Sequence, residues 1–236
     1  MPKLSIIVCA YNEIQTIATV LDAIDAVDLG EGWEKEVLVV DNCSTDGTRE
    51  FLAGFSRAGY RVLLNAQNLG KGGSIRRAIG ELTGDYAVIQ DADLEYHPAQ
   101  LPKLLRKVEQ GAVAVLGSRV LGGHAAYKYL HAYLGVRLLT GLTNVLYGAR
   151  LTDVATAIKL VKSDILKSLQ LVGNGFDLDF ELVNKVLLAG HQIEEVAYEY
   201  RPRTYAEGKK ITVRDGLMGL WIIVRDRLGL AAGRAG

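Results

Sequence analysis

The segment QDADLE at 90–95 places three carboxylates within five positions, directly after the apolar run YAVI at 86–89. Alternate residues of an extended chain point to the same side, so Asp91, Asp93 and Glu95 would share one face if the strand geometry continued. Clustered like charges repel one another unless water or a cation lies among them. Carboxylate oxygens suit Mg²⁺ or Mn²⁺, which typically bind one or two carboxylates together with substrate phosphates. The segment therefore predicts a divalent-metal site, and a solvated acidic loop is the alternative.

The first half of the chain alternates apolar, β-branched runs with helical patterns, and these elements must position the carboxylates. The strand-like runs are at 5–9, 37–40, 61–64, 86–89 and 112–116. The helical patterns are at 13–27, 46–58, 72–83 and 98–110. Continuous apolar strands separated by helices indicate a mostly parallel sheet that is covered by helices on both faces. We therefore predict an α/β fold.

Four polar segments follow strands of this predicted sheet. They are AYNE at 10–13, DNCSTDG at 41–47, NLGKGG at 68–73 and QDADLE at 90–95. Because ligands of an open parallel sheet bind beyond the carboxyl ends of its strands, we expect these segments to meet at one edge. Their convergence favours a ligand-binding site over four unrelated turns.

The glycine-rich segment NLGKGG resembles a phosphate-binding loop. It lacks the full GxxxxGK[ST] pattern, which occurs nowhere in the chain and whose absence argues against an ordinary ATPase. Its glycines could instead mark the start of a helix. In the functional interpretation, Lys71 contacts a pyrophosphate or supports the acidic segment.

Cations that could face an anionic substrate occur mainly in the second half. The segment YRPRTYAEGKKITVR at 200–214 contains Arg201, Arg203, Lys209, Lys210 and Arg214. Its interleaved tyrosines and glycine predict a flexible basic lid, and a solvated charged face is the alternative. Arg119 follows a strand and should reach the same edge of the sheet. Arg137 and Lys159 lie inside apolar stretches, where a buried cation needs a partner such as a phosphate.

The second half is richer in apolar segments, and no linker, repeat or low-complexity tract divides the chain of 236 residues. Its main segments are an apolar 128–148, a helical 175–190, a strand-like 193–203 and an apolar helix at 214–229. We predict a single domain with a nucleotide-sugar half at 1–118 and an acceptor half at 119–236.

Bulk composition argues against several classes of protein. Lys plus Arg and Asp plus Glu number 27 each, so a net charge of zero gives no general attraction to nucleic acid. The two cysteines, Cys9 and Cys43, are too few for a disulfide scaffold, and we predict both to be buried near strand ends. No apolar run reaches the ~20 residues that span a bilayer, and the N-terminus lacks the apolar region of a signal peptide. We expect a soluble or peripheral membrane protein.

Seven motifs follow one another along the chain: LSIIVCAYNE, LVVDNCSTDGT, NLGKGGSIRRAI, DYAVIQDADLEYHP, LGSR, LTDVATAIKLVK and YRPRTYAEGKKI. Together they resemble those of the family-two inverting glycosyltransferases with the GT-A fold. The closest subgroup is the polyprenyl-phosphate sugar transferases of the dolichol-phosphate mannose synthase type. The resemblance implies transfer of a hexose, above all mannose from GDP-mannose, to a dolichyl or undecaprenyl phosphate with Mg²⁺ or Mn²⁺ as cofactor. UDP-sugar donors and sugar-hydroxyl acceptors remain open.

The resemblance also implies a role for each matching position. The nucleotide sugar would contact Ala10, Tyr11, Glu13, Asp41, Lys71, Asp91 and Ala92. The metal would bind Asp91, Asp93 and Glu95, the last replacing a common Gln. Catalysis would involve Asp93, Arg119 and Lys209. The acceptor phosphate would contact Arg137, Lys159 and Arg203.

Departures from the family pattern leave the donor base and the acceptor open. Cys9 stands where Pro is usual, and Asn42 and Cys43 stand where Asp-Gly is usual. Val136 and Ala157 replace residues that are often Asn and Gly or Cys. The first group lies at the expected base pocket and the second on the acceptor side.

A lipid acceptor implies a cytoplasmic enzyme at the inner face of the cell membrane, with the segments 128–148 and 214–229 against the bilayer. Burial of these segments against each other, or across a homodimer, is the alternative. A phosphate acceptor is already anionic near neutral pH and needs cations to position it. An alcohol acceptor would need a carboxylate base, for which Asp153 is the nearest candidate. A sugar-1-phosphate nucleotidyltransferase, which AYNE argues against, and a non-catalytic sugar-nucleotide sensor are the competing classes.

Overall fold

The computed structural model describes residues 1–121, 130–202 and 213–230. The strands in these ranges are β1 Lys3–Ala10, β2 Glu34–Asp41, β3 Tyr60–Leu64, β4 Tyr86–Asp91, β5 Ala114–Ser118, β6 Lys159–Lys162 and β7 Glu194–Ala197. They form one sheet with the order β3-β2-β1-β4-β6-β5-β7. The pairs β1–β2, β1–β4, β2–β3 and β5–β7 are parallel, whereas β6 runs antiparallel to β4 and β5. The mostly parallel sheet confirms the predicted α/β fold class.

Eight α-helices lie in the described ranges, and most of them flank the sheet. Their bounds are α1 Ile17–Asp25, α2 Thr48–Ala53, α3 Gly70–Glu81, α4 Leu101–Glu109, α5 Leu130–Tyr147, α6 Ser163–Ser168, α7 Asp177–Leu188 and α8 Val213–Arg227. In α4, a proline lies in the first turn, where its missing N–H is harmless. The buried leucines of α4 recur at helical spacing, so one face packs on the sheet.

The core lies on both faces of the sheet because the strands of its centre are apolar in succession. Ile6 and Val8 of β1 join α1 and α4 in one cluster. Ile7 of the same strand faces a second cluster with α3 and α7. The alternation follows from the two-residue repeat of a strand.

Two features of the fold differ from the sequence-based expectation. The helical pattern at 13–27 becomes a helix only at Ile17, and the backbone N–H groups of Glu13 and Ile14 instead donate to the side chains of Thr48 and Asp46 at the start of α2. The strand β6, Lys159–Lys162, has only four residues and is not among the predicted strands. It is short, antiparallel to its neighbours and bounded by lysines, so the apolar-run criterion did not separate it.

The helices α5, α7 and α8 form a third apolar cluster beside the sheet, which includes Leu139, Val183, Ile222 and Ile223. Gly219 allows α8 to approach α7 closely, since a Cβ there would lie 2.6 Å from the Phe180 ring. The helices α5 and α8 pack against each other, and this packing buries one face of each of these two apolar helices. Among the helices of the described ranges, none is both long and apolar enough to cross a membrane.

Candidate active site

The carboxyl ends of β1, β2 and β4 open onto a cavity of about 220 Å³. The residues that line it are Cys9, Ala10, Tyr11, Glu13, Asn42, Asn68, Gly70, Lys71, Ser74, Asp91, Ala92, Asp93, Glu95, Phe176 and Tyr200. All four polar segments that the sequence predicts at this edge contribute to the wall. Eight of the positions singled out for the nucleotide sugar or the metal therefore lie around one space.

The segments that follow β1 and β2 are held together by reciprocal hydrogen bonds. The backbone N–H of Asn12 donates to Ser44 Oγ at 3.0 Å, and the N–H of Thr45 donates to Asn12 Oδ1 at 2.8 Å. Asn12 adopts a φ of +55°, in the left-handed region that Asn tolerates better than most residues. These contacts fix the wall that carries Tyr11 and Glu13.

Asp41, for which the resemblance implies a contact with the nucleotide, lies beneath this wall and is fully buried in the structure. Its carboxylate accepts hydrogen bonds from the backbone N–H groups of Cys43 at 3.1 Å and Ser44 at 3.2 Å, and from Arg49 at 2.7 Å. It thereby stabilises a turn in which Cys43 has a φ of +64°, a conformation that favours glycine. The neighbouring Asn42 lines the cavity instead.

The thiols of Cys9 and Cys43 are free and half-buried, which is less burial than the sequence predicted. Cys9 pairs with Asp91 in the β1–β4 register and lines the cavity. Burial raises the pKa of the Cys9 thiol to about 12, so it stays protonated at neutral pH. A nucleophilic role for Cys9 is therefore disfavoured.

The acidic segment bends after β4 instead of continuing as a strand. Asp93 Oδ1 accepts the backbone N–H of Glu95 at 3.1 Å, and Thr16 Oγ1 holds the carbonyl of Ala92 at 2.9 Å. Asp91, Asp93 and Glu95 all line the cavity, but not by the strand alternation that we expected. Across 1–121, 130–202 and 213–230, no three His, Cys, Asp or Glu side chains converge to hold a metal ion. A cation bound by one or two of these carboxylates would complete its shell with water or substrate oxygens.

Lys71 is the cation of the glycine-rich segment, and it lies between two carboxylates. Its Nζ is 2.8 Å from Asp91 Oδ1 and 3.5 Å from Asp179 Oδ2. The ring of Phe176 lies 5.6 Å from the same ammonium, within the range of a cation–π contact. Burial opposes the charge of Lys71, but Asp179 and Asp91 outweigh it and raise the pKa of Lys71 above its ordinary value.

Asp179, near the start of α7, is not among the residues predicted for the site. Its second oxygen, Oδ1, lies 2.9 Å from the ammonium of Lys159, whose side chain is fully buried. Burial would raise the pKa of Asp179, but Lys159 and Lys71 lower it, so the carboxyl stays ionised. The available signal was a carboxylate inside the apolar helix pattern FDLDFELV, which calls for a cationic partner.

The glycines of NLGKGG serve close packing of the chain. A side chain at Gly70 or Gly72 would collide with the carbonyl oxygens of Asn174 and Gly173, respectively. Gly70 also has a φ of +74°. These contacts bring the start of α3 against the segment 172–175, which Glu181 holds by accepting the N–H of Gly173 at 2.7 Å. This packing role agrees with the alternative interpretation, in which the glycines mark the start of a helix.

Arg119 follows β5 and is paired with Asp153. Its Nε and Nη2 donate to the two carboxylate oxygens at 2.6 and 2.7 Å, and both side chains are buried. The guanidinium carbon lies 5.3 Å from the centre of the Tyr200 ring, which lines the cavity. Burial raises the pKa of Asp153, but Arg119 overcomes this effect and lowers it. Asp153 is ionised, and both of its carboxylate oxygens already accept hydrogen bonds from Arg119. It is therefore poorly suited to be the base that an alcohol acceptor would need.

The other predicted phosphate ligands are dispersed. Lys159 is enclosed by Asp179 and the carbonyl of Thr156, so its partner is a carboxylate where we expected a phosphate. Arg137 is exposed on α5, which corrects the expectation of a buried cation. Arg203 and Lys209 lie outside the described residues. Tyr200, which precedes both residues in the chain, donates a hydrogen bond to Glu95 Oε2 at 3.2 Å. This bond joins the chain that follows β7 to the acidic segment QDADLE.

Solved structures of glucosyl-3-phosphoglycerate synthase from Mycobacterium tuberculosis have the same architecture. The complex with Mn²⁺, UDP and phosphoglyceric acid aligns with a TM-score of 0.70 and 23% identity, over 98% of this chain and 80% of that chain. The complex with Mg²⁺ and UDP aligns with a TM-score of 0.70 and 24% identity, over 98% and 81%. Likeness at this identity shows the fold, and the class it defines is GT-A. The sequence profile of Glycosyl transferase family 2 matches residues 5–169, and the chain belongs to this family.

Three curated relatives show how far the similarity extends. Undecaprenyl-phosphate mannosyltransferase of Micrococcus luteus is 29% identical over 96% of this chain and 93% of its own length. Dolichol-phosphate mannosyltransferase of Pyrococcus furiosus is 24% identical over 88% of this chain, which spans 59% of that protein. Low-salt glycan biosynthesis hexosyltransferase Agl6 of Haloferax volcanii is 29% identical over 86% of this chain, which spans about half, 48%, of that relative. The family predicted from the motifs is confirmed.

Proposed function

We propose that the chain is an inverting glycosyltransferase that moves a hexose from a nucleotide sugar to a polyprenyl phosphate. The proposed donor is GDP-mannose and the acceptor a dolichyl or undecaprenyl phosphate. The observation that carries this proposal is the convergence of four polar segments on one cavity in a chain of this family. The names of the Micrococcus and Pyrococcus relatives support mannose and a lipid phosphate. The UDP complexes of the structural neighbours keep a UDP-sugar as the second candidate donor.

The donor set at Asp91 and Asp93 fits a divalent cation. Both carboxylates line the cavity, and the ammonium of Lys71 beside Asp91 shows that positive charge is stabilised there. Mg²⁺ and Mn²⁺ need only one or two carboxylates when substrate phosphates complete the shell, so a three-residue protein cluster is not required. Asp91 and Asp93, with Glu95 in the same wall, would hold the cation, which would supply charge to offset the departing nucleoside diphosphate.

The chain's own residues would do the rest of the work in the reaction. Lys71 adds positive charge where the diphosphate would leave, and this stabilisation acts on charge that grows in the transition state. Tyr11, Glu13 and Asn42 line the part of the cavity formed by the ends of β1 and β2, which we propose for the nucleoside. An anionic phosphate acceptor needs positioning more than a general base. The carboxylate of Asp153 is already paired with Arg119 and is not needed as a base for such an acceptor.

The proposed halves of the domain follow the distribution of the cavity wall. Apart from Phe176 and Tyr200, every residue of the wall comes from 1–118, the proposed nucleotide-sugar half. We propose that Arg119, Arg203 and Lys209 of the second half receive the acceptor phosphate and the leaving group. Lys159 has no place in this set, because its side chain is fully enclosed.

We also propose that α5 and α8 contact a lipid surface, at the inner face of the cell membrane. Their exposed apolar side chains are Leu130, Leu134, Leu138 and Val145 on α5, and Leu217, Met218, Leu220 and Trp221 on α8. Arg137 is exposed among the leucines of α5, where it could meet anionic head groups. Helices that lie in the membrane interface bury such a stripe and keep Trp and Arg near the polar boundary. A homodimer across the same face is the competing outcome.

A donor screen tests the proposal. The protein would be incubated with radiolabelled GDP-mannose or UDP-glucose, a short polyprenyl phosphate and Mn²⁺ or Mg²⁺, and the organic-extractable label would be counted. Label from GDP-mannose supports the proposed donor. Label from UDP-glucose alone would move the assignment to the second candidate, and binding of sugar nucleotides without any transfer would favour a sensor.

A further inference from the structure

Four side chains of alternating charge lead from the cavity into the interior. The ammonium of Lys71 lies between Asp91 at 2.8 Å and Asp179 at 3.5 Å, and Asp179 lies 2.9 Å from Lys159. The exposed fraction of the side chains falls along this row, from 22% at Asp91 to 14%, 10% and 0% at Lys71, Asp179 and Lys159. Lys71 thus has a carboxylate within reach on each side, one at the cavity and one deeper in the interior.

The contact of Lys71 with Asp91 has a consequence for metal binding. Asp91 is one of the two carboxylates proposed to hold a divalent cation, and the ammonium already lies at hydrogen-bond distance from its Oδ1. A cation that used this oxygen would meet the positive charge of Lys71 at close range. The repulsion would have to be relieved by movement of one of the two charges.

Asp179 offers Lys71 a second position. Its Oδ2 lies 0.7 Å farther from the ammonium than Asp91 does, being at 3.5 Å against 2.8 Å, so a small rotation of the lysine side chain would close the gap. The ring of Phe176 lies 5.6 Å from the ammonium and gives it a further favourable neighbour. The opposite oxygen of Asp179 is held by Lys159, which fixes the carboxylate in place.

We propose that the ammonium of Lys71 occupies the cation position at Asp91 until a divalent cation binds there. Asp179 is then the positioning residue, because its carboxylate accepts Lys71 when the cation displaces it from Asp91. The inference rests on the proposed function only in assuming that this cavity takes a divalent cation. It assigns Asp179 a role that packing alone would not give it. A cation alone should bind weakly, because it must displace the ammonium. A nucleoside diphosphate should strengthen its binding, because the phosphates offset the charge of Lys71.

Binding of Mn²⁺ alone to the full chain, measured from the electron paramagnetic resonance signal of free Mn²⁺, tests this inference without turnover. Lys71→Met should tighten Mn²⁺ binding on the order of tenfold, because it removes the competing charged hydrogen bond. Asp179→Asn should weaken Mn²⁺ binding several-fold, because Lys71 is left with Asp91 as its charged partner. In the double variant Lys71→Met/Asp179→Asn, the effect of Asp179→Asn should disappear.

Two controls separate this mechanism from loss of the fold and from net charge. Asp179→Asn leaves Lys159 buried without its carboxylate, so Asp179→Asn/Lys159→Met is the variant that removes the whole buried pair. It should weaken Mn²⁺ binding as Asp179→Asn does. Lys103→Met, in which the lost ammonium is bonded to Gln100 at 2.8 Å, changes the net charge equally and should leave Mn²⁺ binding unchanged.

Unchanged or weaker Mn²⁺ binding by Lys71→Met would overturn the inference. So would an Asp179→Asn effect of equal size in the wild-type and Lys71→Met backgrounds. Failure of the proposed function is a separate result: the Mn²⁺ pattern would hold while the donor screen gave no transfer.

Discussion

The guanidinium of Arg119 binds the carboxylate of Asp153 through two parallel hydrogen bonds, from Nε at 2.6 Å and from Nη2 at 2.7 Å. A third bond, from the backbone N–H of Arg119 at 3.0 Å, ends on the same carboxylate. The backbone N–H groups of Thr152 and Asp153 in turn donate to Glu195 of β7. The pair therefore joins the end of β5 to the segment before β6 and fixes the guanidinium that lies over the Tyr200 ring.

Removing one member of this buried pair should destabilise the fold. Asp153→Asn leaves the Arg119 charge buried without a counter-charge, and we expect the free energy of unfolding to fall by ~3–5 kcal/mol. Urea denaturation at pH 7 measures the change. The double variant Arg119→Met/Asp153→Asn should recover much of the loss, because no buried charge is left unpaired. Equal stabilities of Asp153→Asn and the wild type would show that the pair carries little of the fold.

The same pair predicts how stability depends on pH. Because the pKa of Asp153 is lowered in the folded chain, its stabilisation is complete above the unfolded pKa of ~3.9 and is lost as pH falls through the folded value. The difference in unfolding free energy between the wild type and Asp153→Asn should therefore be constant from pH 7 to ~5 and shrink below ~4. Urea titrations at several pH values check this, and a difference that grows on acidification would contradict the assignment.

The glycines of α3 provide a matched pair of substitutions. Gly72→Ala should destabilise by ~1–3 kcal/mol, since its Cβ would meet the backbone of Gly173 and force α3 away from the segment 172–175. Gly80→Ala lies in the same helix with open space around the new Cβ, and should stabilise by ~0.5–1 kcal/mol. Thermal unfolding of both variants gives the comparison. Equal effects of the two substitutions would mean that the close approach at Gly72 does not matter.

The parts of the site that could be predicted from the sequence are those encoded locally. Each of QDADLE and AYNE directly follows an apolar run, so the strand, its end and its polar continuation are read from neighbouring residues. The rule that strand ends share one edge then brings the segments together. The resemblance added the family and the fold, which the matched profile and the solved structures bear out.

The partners of the buried charges could not be predicted, because they are distant along the chain. Arg119 and Asp153 are 34 positions apart, and Lys159 and Asp179 are 20 apart. A cation inside an apolar run indicates that a counter-charge exists, but the sequence does not say whether a substrate or the protein supplies it. We expected a phosphate as the partner of Lys159, whereas in the structure its partner is Asp179.

The exposed stripe on α5 should bind anionic membranes. We expect Leu134→Gln/Leu138→Gln to weaken binding to vesicles that contain phosphatidylglycerol by about tenfold or more, because two leucines no longer enter the apolar layer. Co-sedimentation with the vesicles measures this. Leu188→Gln replaces a leucine that is exposed at the end of α7 and should have no effect. A variant that binds vesicles normally but shifts from dimer to monomer in sedimentation would favour the homodimer instead.

Transfer of label from GDP-mannose to a short polyprenyl phosphate, compared between the wild type and Asp93→Ala, tests the central claim most directly. Asp93 lines the cavity and receives the N–H of Glu95, so circular dichroism and thermal unfolding must first show that the variant is folded. We predict organic-extractable mannose for the wild type and a loss of about a hundredfold or more for folded Asp93→Ala. Full activity of Asp93→Ala, or absence of transfer to the lipid by the wild type, would contradict the account.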